Sequence, residues 1–462
     1  MKKGDIKTAN EAAVATPVEE TKLALREVVD ALLPNSKIEY DVIVVGGGPA
    51  GIGAALSACE SGAKTLLLEA DSIFGGVATA ALWMPVNRIM LNGVTPEGGK
   101  RGGVHDKFVD AIKRHGAEAY SERRHPVTDV RGGLSIHPEY LRLAVCELLE
   151  SVGCHYGLYS PVIDVVKDGN VMRGVTVSGK SGTIDFNGKI VIDCSGDADV
   201  SYFAGVETLK GRESDGLFMP PSLLFAISNV DIDRFFDWYL DKQDDFRAYI
   251  QRMKDSGLVT LRWHEFIESS TPNTLTVNNG GVDGWGNIDA TCANDLTRAE
   301  RLGVQAAIDF VRYARSHKIP GLENCSLMRA GHRIAIRDTR RIAGEYMITH
   351  DDALNSTEFE DIVSRRYGFI DAVGYYVAQM KSGHAYPYRC LLPKNVENLL
   401  VAGRCASATH LGFASGRGMG ENMGMGQAAG VAAAEALKQG VYVRNIDISP
   451  VQDTLRSRGV DI

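Results

Sequence analysis

Three glycines and one carboxylate carry the plainest chemistry in this sequence. Gly46, Gly48 and Gly51 stand in the pattern G-x-G-x-x-G, and Glu69 follows at about the spacing where an acid meets a ribose. Gly46 allows a tight turn, Gly48 allows backbone to approach a pyrophosphate, and Gly51 lets a helix pack close to a strand. The N–H groups and positive dipole end of the helix that follows hold phosphate charge. The ligand this arrangement fits is a dinucleotide. A second set stands far along the chain. His410 can exchange a proton near neutral pH, and Arg417 can clamp a carboxylate or stabilise an oxyanion. His410 could equally serve only as a hydrogen-bonding group. Tyr388 and Arg389 are weaker candidates, for which a structural role is the plainer reading.

These residues need elements to position them. Residues 42–45 are an apolar run of strand length, and residues 54–62 are rich in small side chains at helical spacing. A second apolar run, 65–68, ends at Glu69, giving strand, glycine turn, helix, strand and acid in the expected order. Phe74-Gly75-Gly76-Val77-Ala78 then either runs beneath the ligand or is an ordinary glycine turn. Residues 84–105 read as a long loop, 107–115 and 138–152 as helices. Alternation over 155–164, 171–177 and 182–186 predicts a small antiparallel sheet. The run 189–193 predicts a buried strand that opens into Ser195-Gly196-Asp197, at the sheet edge where α/β proteins bind ligands. Near the end, 396–404 reads as turn, strand and glycine. Gly426-Gln427-Ala428 reads as the opening of a small-residue helix whose N-terminus offers an anion hole.

The expected fold is therefore α/β. A Rossmann-like dinucleotide domain, a parallel sheet with a small antiparallel sheet, is assembled from 40–215 and 385–440. An α+β substrate or cap domain is inserted over 216–384, where aromatic residues are dense and mostly core. Residues 1–39 are an extension with a helix at 17–33, and 441–462 a polar tail. Within 334–349, the charged run Arg337-Asp338-Thr339-Arg340-Arg341 reads as an ion-paired face with partial burial.

Composition bounds the function. The 462 residues carry a net charge of −8, which argues against nucleic acid or an anionic membrane as the main partner. None of the eight cysteines forms C-x-x-C, so no metal or iron–sulfur site is expected. No apolar run of 18 residues exists, and Lys2 and Lys3 have no apolar core behind them. Cytoplasmic residence is the expectation, with a homo-oligomer or a redox partner protein left open.

Taken together, the stretches DVIVVGGGPAGIGAALSA, FGGVATA, IVIDCSGDADVSYFAG, IRDTRRIAGEY, NLLVAGRCASATH and GQAAGVAAA carry a resemblance. The chain resembles FAD-dependent oxidoreductases of the glutathione-reductase structural superfamily, with the fumarate reductase flavoprotein as a distant relative. The resemblance implies FAD held by Gly46, Gly48, Pro49, Ala50 and Gly51 at the pyrophosphate and Glu69 at the ribose. It implies Ala70, Gly76, Val77 and Ala78 along the cofactor and Val162 at the adenine. Ser195, Gly196, Asp197, Gly403, Arg404, Gly426, Gln427 and Ala428 would complete the site. No His follows Glu69 where the fumarate reductase relatives link flavin covalently, so non-covalent FAD is expected. The extra glycines about Arg417 depart from the family pattern and weaken any transfer of substrate. The expected chemistry is hydride transfer between FAD and a small organic substrate (an alcohol, sugar, acid or amine), with His410 and Arg417 beside the ring. The alternatives are a flavoprotein electron-transfer subunit and a fumarate-reductase-like C=C reductase.

Overall fold

The computed structural model describes residues 38–91, 94–95, 98–121, 133–258, 261–282, 286–372, 375–377 and 383–462. The helix expected at 17–33 lies outside them.

Strand Tyr40–Val45 is buried on both faces over its apolar run 42–45, as a parallel interior strand requires, with Asp41 half-buried near its start. It pairs in parallel with Thr65–Leu68 on one side and with the end of Gly182–Asp193 on the other. His155–Gly157 extends the sheet beyond Thr65–Leu68, and Leu399–Val401 adds to the far side of residues 191–193. The sequence suggested two strands over 182–193. They are one, because Gly188 and Asn187 do not interrupt pairing. Its first half pairs antiparallel with Val171–Gly179, which pairs in turn with Val162–Asp168. One strand therefore belongs to both the parallel sheet and the antiparallel flap.

Helix Pro49–Glu60 crosses between the first two strands and packs against a second helix, Met419–Gln439. The contact is close enough to need glycine. A Cβ on Gly53 would lie 2.3 Å from Met423 O, one on Gly426 1.8 Å from Ala50 O, and one on Gly430 2.2 Å from Ala54 O. The expected helix start at Gly426 is thus corrected: the helix begins at Met419, and residues 426–428 lie inside it. Residues 441–462 are not a free polar tail. They contain helix Ser449–Ser457, with Val451 and Leu455 buried one turn apart.

The inserted region forms an antiparallel sheet of Leu261–Glu268, Leu275–Val282, Phe225–Ser228 and Ser326–Ala330. Helices Ile232–Asp241, Gln243–Asp255 and Ala293–Ser316 accompany it. Phe225, Phe235, Phe236, Phe246, Tyr249, Phe266 and Phe310 are buried together, so these aromatics make the core of this region. The chain enters through Thr208–Lys210 and leaves through Arg340–Ile342, and these two strands pair with each other. Among the described residues no helix is long and apolar enough to cross a membrane.

Candidate functional site

The turn after Tyr40–Val45 is built from backbone. Gly46 has φ +101°, and a Cβ there would lie 2.4 Å from Cys194 O. A Cβ on Gly51 would lie 1.7 Å from Gly46 O, so both positions admit glycine alone. Gly48 differs. The nearest atom to a Cβ there is Gly76 Cα at 3.9 Å, so nothing of the protein fills that side of the turn. No side chain caps the helix that starts at Pro49, and no acid stands in its first turn. Its terminal N–H groups and dipole are left for an anion from outside the chain.

Gly75 N–H donates to Gly47 O at 2.9 Å, which lays the 76–78 turn across the glycine turn. Glu69 is buried and accepts from Gly47 N–H at 2.6 Å and from Asp71 N–H at 2.8 Å. These two bonds fix its carboxylate at the strand end. Ser160 N–H donates to Glu69 O and Tyr159 N–H to Asp71 O, so the chain entering Val162 runs beside the exposed Ala70.

The third strand end supplies the other wall. Asp193 is fully buried and accepts from both the N–H and the hydroxyl of Ser195, and from both of those groups of Ser201. Arg404 Nε donates to Gly196 O at 2.7 Å, and its guanidinium pairs with Asp197. Arg340 donates to Asp197 O and pairs with Asp199. Burial, then the charges of Asp197 and Asp193, push the Asp199 carboxyl up to about 6, against the pull of Arg340. Gly403 stands beside Ala50, where a Cβ would lie 3.0 Å from Ala50 Cβ. Residues 46–51, 69–70, 76–78, 162, 195–197 and 403–404 therefore gather along the carboxyl ends of the parallel strands.

Gly426, Gln427 and Ala428 take other places. Gly426 backs onto Ala50, and Gln427 Oε1 accepts from Val104 N–H at 2.6 Å, at the start of helix Val104–Arg114. The anion hole expected there is absent. The helix's true N-terminus is occupied by the chain itself, since Glu421 accepts from Gly418 N–H at 2.9 Å and Tyr367 N–H at 2.6 Å. Asn87 accepts from Met419 N–H and Gly420 N–H. Burial pushes the Glu421 carboxyl up, but Arg88, Arg101 and Arg366 outweigh it and hold it below the ordinary range.

His410 opens the short helix His410–Ala414, capped by Thr409. Its Nδ1 lies 3.3 Å from Asp338 Oδ2, and neither side chain is exposed. Asp338 Oδ1 accepts from Arg341 at 2.6 Å, and Arg341 also donates to Ala408 O and Gly211 O. Both ring nitrogens of His410 and Asp338 Oδ2 have no formal hydrogen-bond partner among the described residues, so the imidazole–carboxylate contact is close but bent. The guanidiniums of Arg341 and Arg417 lie over the Phe413 ring, at 5.7 and 5.9 Å from its centre. Arg417 pairs with Asp371 at 3.0 Å. His410 and Arg417 thus belong to one cluster.

The sequence reading missed Asp338 and Arg337 in that cluster. Arg337 is buried, donates to Pro220 O and Ser222 Oγ at 2.7 Å each, and lies 4.5 Å from the Trp83 ring centre. Burial, then the neighbouring Arg417, bring its guanidinium down to about 9. Apolar Ile334, Ile336 and Ile342 interleaved with the charges were the available signal. Tyr388 and Arg389 are structural: Tyr388 donates to Val443 O at 2.7 Å, and Arg389 pairs with Asp361 near the surface. His105 and His384 are buried imidazoles, which burial pushes down to about 3 and 4.

A family model described as FAD dependent oxidoreductase matches residues 41–455. A digeranylgeranylglycerophospholipid reductase of Picrophilus torridus is 29% identical over 219 residues, which cover 44% of this chain and 51% of that protein. Digeranylgeranylglycerophospholipid reductase 1 of Methanococcoides burtonii is 24% identical over 282 residues, covering 56% and 67%. The chain spans about half the length of the first curated relatives it matches. Among solved structures, a geranylgeranyl bacteriochlorophyll reductase-like protein of Thermoplasma acidophilum aligns over 91% of this chain and 84% of that one, at 15% identity and a TM-score of 0.48.

Proposed function

The chain belongs to the FAD dependent oxidoreductase family, and from that premise we propose that it holds FAD non-covalently and passes a hydride between the flavin and a small organic substrate. The open turn at Gly48 and the uncapped helix at Pro49 fit a pyrophosphate. In this reading residues 46–51 take the pyrophosphate, Glu69, Ala70 and Val162 the adenosine, and Gly76, Val77 and Ala78 the middle of the cofactor. Ser195, Gly196, Asp197, Gly403 and Arg404 close the other side. Gly426, Gln427 and Ala428 support the cradle from behind rather than touch the cofactor. Bound FAD supplies the hydride acceptor or donor.

The observation that carries the reading is the buried contact of His410 with Asp338. Asp338, fixed by Arg341, stands against the Nδ1 edge of the imidazole, and in this reading Nε2, which has no partner among the described residues, takes or gives the substrate's proton. The direction of transfer follows the substrate. Relatives named as reductases favour the reducing direction, with a carbon–carbon double bond as the acceptor of the alternative reading.

The test is the absorption spectrum of the purified protein, followed by a panel of alcohols, hydroxy acids and amines without oxygen. Flavin bleached by one of them supports substrate oxidation. Flavin that only a low-potential donor reduces, and an enone or unsaturated acid reoxidises, supports the reductase reading. Absence of flavin from a protein that cannot be reconstituted with FAD sinks both. His410→Ala is expected to keep its flavin and lose at least ~100-fold in turnover; unchanged turnover removes His410 as the proton carrier.

A further inference from the structure

Asn278 is buried in strand Leu275–Val282, yet only part of its amide is used. Its Nδ2 donates at 3.0 Å to Glu265 Oε2, from the residue directly opposite on Leu261–Glu268. An ionised carboxylate only accepts, so this bond fixes which way round the amide stands. Its Oδ1 is buried and has no hydrogen-bond partner among the described residues. A buried acceptor left unmet is costly, and a ligand that donates to it removes the cost.

Strand alternation places this atom. Val277, with Phe225 and Phe266 paired on either side of it, turns into the aromatic core of the inserted region. Asn278 and Glu265 therefore stand on the other face of the sheet. On that face Leu224, just before Phe225, packs with Ala81, Leu82 and Ala335 and against Val77 and Trp83. Trp83 N–H donates to Val77 O at 2.9 Å, which joins this face to the 76–78 turn. Arg337, on the Trp83 ring, feels both the Glu265 carboxylate of the sheet and the Arg417 guanidinium. Arg417 lies over Phe413, next to Arg341 and His410, and its Nε is buried without a hydrogen-bond partner among the described residues. The sheet face, the 76–78 turn and the His410 cluster thus meet around Trp83 and Arg337.

The two unmet atoms are of opposite kind. Asn278 Oδ1 needs a donor, and Arg417 Nε–H needs an acceptor. A hydroxyl is both. A carboxylate only accepts, and would come to lie among Glu265 and Asp371. An ammonium only donates, and a hydrocarbon chain does neither. We propose that the substrate is an uncharged compound with several hydroxyl groups, a polyol or a sugar, and that Asn278 and Arg417 hydrogen-bond two of them. The inference rests on the flavin-enzyme reading and narrows its substrate. It assigns Asn278, on the inserted sheet, a share in specificity.

The test is calorimetric titration of the FAD-loaded protein with glycerol, myo-inositol and glucose, against cyclohexanol, geraniol and succinate. The best of the three polyols is expected to bind at least about 30-fold more tightly than any of the comparators. Asn278→Leu, close in shape, is expected to keep its flavin content and unfolding midpoint and to weaken polyol binding by at least about 30-fold. Arg417→Lys, which keeps the charge but loses the Nε–H, is expected to weaken it by about 10-fold. The comparison among ligands uses the unaltered protein, so it decides the matter where a variant does not fold. Cyclohexanol, geraniol or succinate binding as tightly as the best polyol overturns the assignment, as does polyol binding that Asn278→Leu leaves unchanged. A loaded protein that binds none of the three polyols refutes the hydroxyl site while the flavin-enzyme reading stands. A protein that takes up no flavin refutes that reading itself, and the proposal with it.

Discussion

Helices Pro49–Glu60 and Met419–Gln439 pack on each other and both begin among glycines, yet their N-termini are finished differently. The first has no capping side chain and no acid in its opening turn. The second is closed by its own Glu421, by Asn87 and by a ring of buried arginines. Both ends present the same donors and the same dipole. What separates them is whether the chain supplies the anion. An N-terminus that the protein satisfies internally is a joint, and one left unsatisfied beside an open glycine is a receptor. Glycine-rich sequence alone does not tell the two apart.

The contrast can be broken from three sides. The largest effect is expected at Gly51→Ala, whose Cβ would meet Gly46 O at 1.7 Å and wreck the turn. A loss of about 4 kcal/mol or more is expected, read as loss of soluble protein or a collapsed unfolding midpoint. Next is Glu421→Gln at the closed end. Removing the carboxylate takes a buried negative charge from beside Arg88, Arg101 and Arg366, at a cost of about 3–5 kcal/mol in denaturant unfolding. Because the folded-state value of Glu421 lies below the ordinary 4.5, its contribution is complete above that pH and fades as pH falls through the folded value. The gap between wild type and Glu421→Gln should therefore narrow in acid; a gap that stays constant would mean that shape, not charge, closes this end. The smallest effect on the fold is expected at Gly48→Ala. Its φ is −76° and its Cβ would meet nothing nearer than 3.9 Å, so stability should hold within ~0.5 kcal/mol. FAD affinity should nevertheless fall by about 10-fold, measured by flavin release on dilution, because the methyl occupies the open side.

The same contrast explains what the sequence made legible. The open end is local: strand, glycines, helix, strand and acid follow one another, and a short-range pattern records them. Gly426 was misplaced because the run Gly418 to Gly426 looks like loop under helix propensity alone. In the structure Gly420, Gly424 and Gly426 are helical, and Gly420 and Gly426 let the helix backbone meet that of Arg88 and Ala50. The cluster of Arg337, Asp338, Asp371, His410 and Arg417 is assembled from segments far apart in the chain. Asp338 stood within a charge run that read as an ion-paired, partly buried face, and nothing local says that its neighbour in space is His410. Val451 and Leu455 were too few to mark a packed helix among polar neighbours.

One feature of the architecture bears on how the molecule forms. The strands that lead into and out of the inserted region, Thr208–Lys210 and Arg340–Ile342, are hydrogen-bonded to each other. The cofactor-binding sheet is thus interrupted by a segment whose two ends meet. If that segment collapses first around Phe235, Phe266 and Phe310, it ties those ends together and acts as a short connection. The search by Leu399–Val401 for its place beside residues 191–193 then costs far less chain entropy than the sequence separation implies. The paired ribbon that links the two regions is, in kinetic terms, the splint that lets a divided sheet find its last strand.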